Sequence, residues 1–213
     1  MTDILYQDKR VLAAVKPAGV LSTDEAGGMP ALVRQTLGDD KACVKTVHRL
    51  DAAVGGVMVF ARSTRAAAIL SEEIRSGGFE KEYLAVCHGV LEEKSGLMRD
   101  LLGHDGARRM TYVADTPGKG VQDAELYYEV LGEAEGLSLV RVELHTGRTH
   151  QIRVQFASRA HGLVGDRKYG KALDRCPIAL WSHAIGFTHP ESGERLRISA
   201  EPPAVYPWTE FSI

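Results

Sequence analysis

The segment Ala124–Leu144, with the sequence AELYYEVLGEAEGLSLVRVEL, decides the fold class. Two runs rich in aromatic, valine and leucine side chains, Ala124–Leu131 and Leu137–Leu144, stand on either side of the glycine-bounded stretch Gly132–Gly136. Runs of this composition around a short turn are typical of two adjacent antiparallel strands. The segment therefore predicts a β-hairpin.

The same kind of signal recurs on both sides of this hairpin. His183–Thr188 and Leu196–Ser199 flank the turn Pro190–Gly193 and predict a second hairpin. Three further extended segments are predicted at Ile4–Val15, Val57–Ala61 and Phe79–Cys87. Because strands outnumber helices and neighbouring strands are antiparallel, we expect an α+β fold with a mixed, mostly antiparallel central β-sheet flanked by helices and loops.

Three helices are predicted from the residues that can begin and end them. They are Ala31–Leu37 before Gly38, a helix capped by Ser63 that runs to about Ser76 before Gly77, and a helix capped by Thr149 that runs to about His161 before Gly162. Between the strands, the polar and glycine-containing stretch 91–120 predicts either an inserted hairpin or a mobile loop.

Length and composition restrict the protein class. The 213 residues, 44% hydrophobic and 25% charged, fit a globular protein of one large or two small domains. The longest apolar runs fall short of the roughly 20 residues that a membrane span needs, and Met1–Ile4 does not resemble a secretory signal. Cys43, Cys87 and Cys176 are odd in number and widely spaced, which favours buried thiols in a reducing cytoplasm.

The charge is unevenly distributed along the chain. The net charge of -2 argues against a general nucleic-acid binder, which usually has a basic excess. Residues 141–175, however, contain eight lysines and arginines against three acids, whereas residues 121–140 contain five acids and no lysine or arginine. A local basic surface can attract a polyanion. A solvated basic face is the alternative interpretation.

The first candidate functional cluster is His48-Arg49-Leu50-Asp51, which is followed by Ala52-Ala53-Val54-Gly55-Gly56 and a predicted strand. A carboxylate on a glycine-containing turn beside a buried strand can be held rigidly while it faces a cleft. In the alternative interpretation, Asp51 makes an ordinary turn hydrogen bond or an ion pair with Arg49.

The second cluster places His145, Arg148, His150 and Arg153 around a predicted helix N-terminus, where an anion such as phosphate could bind. A solvated basic turn is the alternative. His145 and His150 lack the i, i+4 spacing of a helical zinc pair, and the chain has no HExxH motif, so no metal site is predicted.

These clusters and four other motifs resemble the RluA-type family of pseudouridine synthases, in the same order and over nearly the whole chain. They are Lys16-Pro17-Ala18-Gly19-Val20; His48-Arg49-Leu50-Asp51; Lys81 to Val86 with Gly89; Thr146 to Arg153, which reads TGRTHQIR; Gly165-Asp166 with Tyr169-Gly170; and His183-Ala184 with Phe187 to Pro190. The resemblance implies the pseudouridine synthase fold, with an active-site cleft across the sheet. It also implies a single catalytic domain over residues 1–213, without a separate N-terminal RNA-binding module.

The resemblance also implies an activity, the conversion of uridine to pseudouridine in ribosomal or transfer RNA, without cofactor or metal. Asp51 matches the family's catalytic aspartate, Arg153 the arginine that pairs with it, and Tyr83 the tyrosine beneath the target base. Arg49 resembles the residue that fills the space of a flipped base, and Arg148 and His150 are the remaining candidates for substrate binding.

One departure and two rival functions stand beside these expectations. The family usually continues after HRLD with a polar Thr-Ser-Gly segment, whereas this chain has Ala52 to Gly56. A catalytically silent RNA-binding or ribosome-assembly protein is the first rival, but it would not need Asp51, Tyr83 and Arg153 together. A metal hydrolase that uses His145, His150 and His161 is the second rival. We expect a cytoplasmic, monomeric enzyme that acts on RNA and has no membrane partner.

Overall fold

The computed structural model describes residues 1–171 and 174–212. Two units, each with its own strands and helices, divide the chain: Met1–Lys81 with Trp181–Pro202, and Glu82–Leu180 with Pro203–Ile213. Within the described ranges, no helix has the length and apolar character that crossing a membrane requires.

The first unit contains a mixed sheet in the order β1-β2-β4-β10-β11, with β3 also paired to β4. The strands are β1 (Ile4–Gln7), β2 (Val11–Lys16), β3 (Lys45–Thr46), β4 (Gly55–Ala61), β10 (Leu180–Thr188) and β11 (Arg195–Ser199). All pairings are antiparallel except β4 with β10, where Trp181 lies opposite Gly55 and Ser182 opposite Gly56. Every residue of β4 is buried, as its apolar sequence predicts for a central strand.

The helices of the first unit begin and end at the predicted residues or close to them. α1 spans Met29–Leu37 and ends at Gly38, whose φ of 64° is the left-handed conformation that glycine adopts easily. α2 spans Thr64–Ser76: the Ser63 hydroxyl accepts a hydrogen bond from Ala66 N at 3.1 Å, and Gly77 at φ 80° ends the helix. Ala66 and Leu70 on α2 pack into the unit's hydrophobic core. The other buried members of that core are Val11, Ala13, Val57, Val59, Ala61, Phe79, Ile185 and Phe187.

The second unit contains an antiparallel sheet in the order β5-β9-β8-β6-β7. Its strands are β5 (Glu80–His88), β6 (Ser95–Asp105), β7 (Met110–Ala114), β8 (Val121–Ala134) and β9 (Leu137–Leu144). The turn between β8 and β9 is tighter than predicted, because Glu135 and Gly136 both adopt positive φ, 50° and 73°, as a two-residue hairpin turn of type I′ requires. The stretch 91–120 contains the β6–β7 hairpin, so the hairpin alternative is confirmed there.

The third helix differs from its prediction at both ends. α3 spans Gln151–Ala157, and its N-cap is His150 at φ 55°, not Thr149. No side chain among the described residues caps α3; the Gln151 side chain instead accepts a hydrogen bond at 3.0 Å from Arg148 N, which lies before the helix. At the other end, Ala160 is left-handed at φ 64° and His161 N donates to Phe156 O, which ends the helix before His161.

Both units are mostly antiparallel and contain few helices, so the predicted α+β class is confirmed. The expectation of three buried thiols is correct for Cys87 alone, because Cys43 is exposed and Cys176 is half-buried. Burial raises the pKa of the Cys87 thiol to about 12.

Candidate active site

The loop that carries Asp51 is anchored by the two side chains His48 and Leu50. Inward, His48 Nε2 accepts a hydrogen bond from Val59 N at 3.0 Å, and its ring lies 5.3 Å from that of Phe79. Burial, assisted by the charge of Lys81, lowers the pKa of His48 to about 3, so this imidazole is neutral and anchors the loop. Leu50 is also buried, whereas Arg49 is exposed and Asp51 is half-buried.

Hydrogen bonds fix the backbone on both sides of Asp51. Before it, Leu50 N donates to Ser22 Oγ at 3.0 Å and Ser22 Oγ donates to Leu50 O at 2.8 Å. After it, Val54 N donates to Asp51 O at 3.0 Å, which closes a turn. Lys16 Nζ donates to Ala52 O at 3.0 Å and to Val54 O at 2.7 Å. The half-buried carboxylate of Asp51 therefore projects from a backbone with little freedom to move.

The segment that departs from the family pattern has a structural reason for its two glycines. Gly56 has a φ of 120°, and a Cβ atom there would lie 2.3 Å from Ser182 O. A Cβ atom on Gly55 would lie 2.5 Å from the Trp181 ring. The close approach of β4 to β10 therefore requires glycine at both positions, and the loop before them is held by Lys16 and Ser22 instead of by polar side chains of its own.

Arg49 is exposed and lines an open groove of about 600 Å³ in the first unit. The groove is lined by Thr23, Asp24, Val44 to Arg49, and Ala67. Lys45 adds a second exposed cation, while Asp24 is occupied by a two-point ion pair with Arg34 at 2.7 and 2.8 Å. The groove therefore carries two positive side chains, and one of them, Arg49, lies two residues before Asp51 in the sequence.

In the second unit, Arg153 forms a two-point ion pair with Asp166. Arg153 Nε lies 2.8 Å from Asp166 Oδ2 and its Nη2 lies 2.7 Å from Oδ1, with side-chain exposures of 7% and 0%. Burial disfavours the Asp166 carboxylate, but Arg153 and the backbone N–H groups of Lys168 and Tyr169 hold its pKa below the usual value. The orientation of the Arg153 guanidinium is therefore fixed.

Tyr169 connects Arg153 to His150. The Arg153 guanidinium carbon lies 5.3 Å from the centre of the Tyr169 ring, a cation–π contact. Tyr169 Oη accepts a hydrogen bond from Thr111 N at 2.7 Å and lies 2.9 Å from His150 Nδ1. Asp166 and Tyr169 belong to the sequence motifs, but no role was predicted for either residue. Their place in a motif was the one sign in the sequence that they could be functional, and their contacts with Arg153 became visible only in the fold.

The four basic side chains of the second cluster do not share one set of contacts. His150 and Arg153 meet around Tyr169, whereas Arg148 Nε donates to Asp123 O at 2.8 Å. His145 Nδ1 lies 2.8 Å from Glu125 Oε1, and its hydrogen bond, with that of Arg99, holds the pKa of Glu125 below its usual value. The wider basic stretch is also partly neutralised, because Arg141 and Arg159 form ion pairs with Glu129 and Asp100.

Tyr83 lies on β5, opposite Val142 of β9, and the residue is 7% exposed.

Within residues 1–171 and 174–212, no three His, Cys, Asp or Glu side chains are grouped as metal ligands would be. The histidines of the metal-hydrolase alternative contact different protein groups: His145 contacts Glu125, His150 contacts Tyr169, and His161 Nδ1 lies 2.9 Å from His88 O.

Comparison with known proteins identifies the family. Residues 10–158 match the family model described as RNA pseudouridylate synthase. The chain belongs to this family. Its members are RNA pseudouridine synthases, which are isomerases, so the predicted enzyme class is confirmed.

Three curated relatives show how this pseudouridine synthase compares with others. It is 34% identical over 213 residues to the uncharacterized RNA pseudouridine synthase YhcT of Bacillus subtilis, covering 95% of this chain and 69% of that protein. It is 37% identical over 177 residues to ribosomal large subunit pseudouridine synthase D of Xylella fastidiosa, covering 80% and 52%. It is 32% identical over 225 residues to tRNA pseudouridine synthase C of Haemophilus ducreyi, covering 93% and 90%.

A solved structure shares the fold. The human RNA Pseudouridylate Synthase Domain Containing 1 superposes with a TM-score of 0.83 at 20% sequence identity, covering 96% of this pseudouridine synthase and 85% of the human chain. At this identity the likeness concerns the fold alone, and it agrees with the pseudouridine synthase fold predicted from the motifs.

Proposed function

We propose that this pseudouridine synthase isomerises specific uridines in structured ribosomal or transfer RNA, with Asp51 as its essential carboxylate. The observation that carries the proposal is the construction of the Asp51 loop. Ser22 and Lys16 fix the backbone on either side of a half-buried carboxylate that the family motif identifies as catalytic. A fixed carboxylate loses little conformational freedom when the reaction begins, which is how positioning contributes to catalysis.

The reaction is an isomerisation that balances without a donor or a redox partner. The bond between the sugar C1′ and the base N1 breaks, the uracil rotates, and a new bond forms between C1′ and C5. A proton leaves C5, and N1 carries a proton in the product. Asp51 acts on the sugar or on the base in the first step, and a general base removes the C5 proton in the last.

Arg153 and Tyr83 are proposed to complete the catalytic set. The Arg153 guanidinium is already oriented by Asp166 and Tyr169, so it is suited to hold a second carboxylate in a defined position. Tyr83 is proposed to stack on the target uracil, with its hydroxyl available for proton removal.

The remaining site residues are proposed to bind RNA. A uridine must leave its stack before the enzyme can act on it, at a cost of a few kcal/mol that is smaller in loops and bulges. Arg49 is exposed beside a groove that also presents Lys45, so it can occupy the vacated space while the groove holds the flanking strand. Arg148 and His150 are proposed to contact the substrate RNA from the second unit.

The substrate is proposed to be one of two classes of RNA, ribosomal or transfer RNA. Relatives of similar identity are named for ribosomal RNA and for transfer RNA, so both classes are proposed as substrates. Pseudouridine mapping across total RNA from cells with and without this gene identifies the substrate, because a modified site that disappears in the deletion strain is the enzyme's target. A cytoplasmic location, a monomeric state and independence from metal stay predictions.

The experiment that tests the role of Asp51 compares Asp51→Asn with Asp40→Asn. RNA from the deletion strain is incubated with each purified variant, and pseudouridine is detected by carbodiimide labelling and primer extension. Asp51→Asn keeps the side-chain shape but removes the charge, so we expect a loss of at least ~100-fold in rate, with RNA affinity within about twofold. Asp40 is exposed, so the control variant should match wild type. Wild-type turnover by Asp51→Asn would exclude Asp51 from the mechanism.

A further inference from the structure

A small cavity of about 120 Å³ lies in the first unit beside the first turn of α2, and we call it the distal cavity. Its charged lining residues are Arg10, Arg65 and Glu191, so it has an excess of one positive charge. Pockets for drug-sized ligands usually measure ~300–1,000 Å³. The distal cavity is smaller than these and suits a compact anionic group such as a phosphate.

The two arginines of the distal cavity are accessible to a ligand. Arg65 is exposed, and the Arg10 side chain is 42% exposed although it pairs with Glu191 at 2.7 Å. Glu191 is itself 56% exposed, and an ion pair in water adds little to stability. Asp8, on the adjacent β1–β2 turn, already accepts hydrogen bonds from Arg10 N at 2.7 Å and from the Tyr6 hydroxyl at 2.9 Å. Glu191 is therefore the carboxylate that an anionic ligand would displace from Arg10.

The distal cavity and the groove that contains Arg49 border the same turn of α2. Ala67 lines the groove, and the residue before it, Ala66, lines the distal cavity. Lys45, which also lines the groove, is paired with the end of β4 from which α2 begins. Arg49, Lys45 and Arg65 therefore follow one another along the surface of the first unit.

This series of cations extends away from the Asp51 loop along β4. A strand rises about 3.3 Å per residue, so the seven residues of β4, Gly55–Ala61, extend for about 20 Å. Asp51 precedes the first residue of β4, whereas Lys45 lies opposite the last. Between them the loop runs beside the strand, since His48 Nε2 accepts a hydrogen bond from Val59 N. The cations are thus spread over the length of several nucleotides.

We propose that the basic surface made of Arg49, Lys45, Arg65 and Arg10 is a path for the RNA strand next to the target uridine, and that a backbone phosphate in the distal cavity replaces Glu191 as the partner of Arg10. The proposal rests on the proposed function, in which RNA is the substrate. RNA suits this surface better than a protein partner does, because the cations recur along one line and phosphates recur in the same way along an RNA strand.

The first test measures the binding of an oligouridylate of about 20 nucleotides, which is longer than the ~4–16 nucleotides that a single-strand binding module covers. Arg65→Gln should weaken binding at least ~threefold, and the plot of log affinity against log salt should become shallower by about 0.7, the value for one phosphate contact with a single strand. Arg75→Gln is the matched control, because Arg75 is exposed at the other end of α2, where it pairs with Glu72, and it should bind as wild type does. Equal affinities and slopes for the two variants would overturn the proposal, as would a wild-type enzyme that does not bind this RNA.

The second test predicts a change in the opposite direction. Glu191→Gln releases Arg10 for a phosphate, so it should bind the same oligouridylate at least ~threefold more tightly at low salt. Glu72→Gln removes the same charge from the exposed pair at the other end of α2, and it should bind as wild type does. All four side chains are exposed or half-exposed, so the four variants should unfold at the wild-type urea midpoint. An equal gain in Glu191→Gln and Glu72→Gln, or no gain in either, would contradict a phosphate site in the distal cavity.

The third test uses turnover of RNA from the deletion strain and separates this proposal from the proposed function. Arg65→Gln should raise KM at least ~threefold and leave kcat within about twofold, because it removes an RNA contact at a distance from the reacting uridine. An unchanged KM in Arg65→Gln, with Asp51→Asn inactive, would overturn the RNA path and leave the proposed function standing. Wild-type turnover by Asp51→Asn would instead overturn the proposed role of Asp51, and the oligouridylate binding results, which need no catalysis, would still decide the RNA path.

Discussion

Asp166→Asn tests whether the ion pair seen in the second unit determines both stability and the orientation of Arg153. The pair is joined at two points, 2.8 and 2.7 Å, and is buried, with side-chain exposures of 7% for Arg153 and 0% for Asp166. Asparagine keeps the shape and one carbonyl acceptor but removes the negative charge. The substitution therefore removes the negative charge of Asp166 from beside a buried guanidinium.

The magnitude follows from that burial. Removing one partner of a buried ion pair costs about 3–5 kcal/mol, and the acceptor kept by asparagine places the expected loss near the lower end of that range. A typical domain unfolds with a free energy of about 5–15 kcal/mol, so the loss is a large part of the total. It should appear as a clear reduction in the urea midpoint at pH 7.

The sign of the pH dependence follows from the pKa of Asp166. Burial alone would raise this pKa, but Arg153 and the N–H groups of Lys168 and Tyr169 hold it below the ordinary value of 3.8. Since the folded-state pKa is lowered, the carboxylate stabilises the fold at all pH values above the unfolded pKa. This contribution is lost as pH falls through the folded-state pKa, below about 3.8. The difference between wild type and Asp166→Asn should therefore be constant above pH 5 and shrink only in acid.

The assay is urea unfolding followed by circular dichroism between pH 2 and pH 8, with Asp115→Asn as an exposed control in the same unit. The control should match wild type at every pH. Activity is measured in parallel: because Asp166 orients Arg153, kcat should fall more than the KM for RNA rises. Equal urea midpoints for Asp166→Asn and Asp115→Asn at pH 7 would refute the reasoning.

Two further predictions concern the chemistry. Tyr83→Leu should lower the rate of pseudouridine formation at least tenfold, because base–aromatic stacking is worth about 1–3 kcal/mol. Tyr83→Phe should bind RNA normally and stall after the glycosidic bond is cleaved. Normal turnover by both variants would make Tyr83 a core residue. Exhaustive treatment with EDTA should leave activity on a short unstructured RNA unchanged, and restoration by a divalent ion after a chelator-induced loss would reassign the role of the histidines.

Local signals in the sequence predicted most of the individual elements. Ser63 and Gly77 mark the ends of α2 within one residue, because capping and left-handed glycine conformations depend on a few neighbouring residues. The Ala124–Leu144 hairpin was equally accessible, since alternating side chains and a turn are local features. The error at the start of α3 has the opposite cause: the Gln151 side chain donates a hydrogen bond to Glu125 O, 26 residues away along the chain, and His150 before it is left-handed at φ 55°.

The resemblance of the motifs predicted the family and, with it, the candidate site residues. Secondary-structure propensity alone would have placed these residues in turns and in the core. Asp51 could have been an ordinary turn aspartate and Tyr83 a core aromatic on residue pattern alone. The family match of residues 10–158 confirms the family, while the individual roles remain for the variants above to test. Asp166 and Tyr169 were visible as motif residues, but sequence spacing did not predict which side chain they would contact.

The sequence by itself determined the α+β class, the positions of most strands and of two of the three helices, and the family of the protein, because each of these depends on short patterns that can be read in order; it did not separate β1 from β2 or predict β3. Tertiary structure alone decided that Lys16 is buried and bonded to carbonyls 36 and 38 residues away, and that Asp166 and Tyr169 orient Arg153. These contacts arise when the packed sheet brings distant segments together and removes them from water. Because Lys16 and Asp166 are buried, the charge of Lys16 must be compensated by hydrogen bonds and that of Asp166 by Arg153. The order of residues in the sequence does not show which of them will be buried.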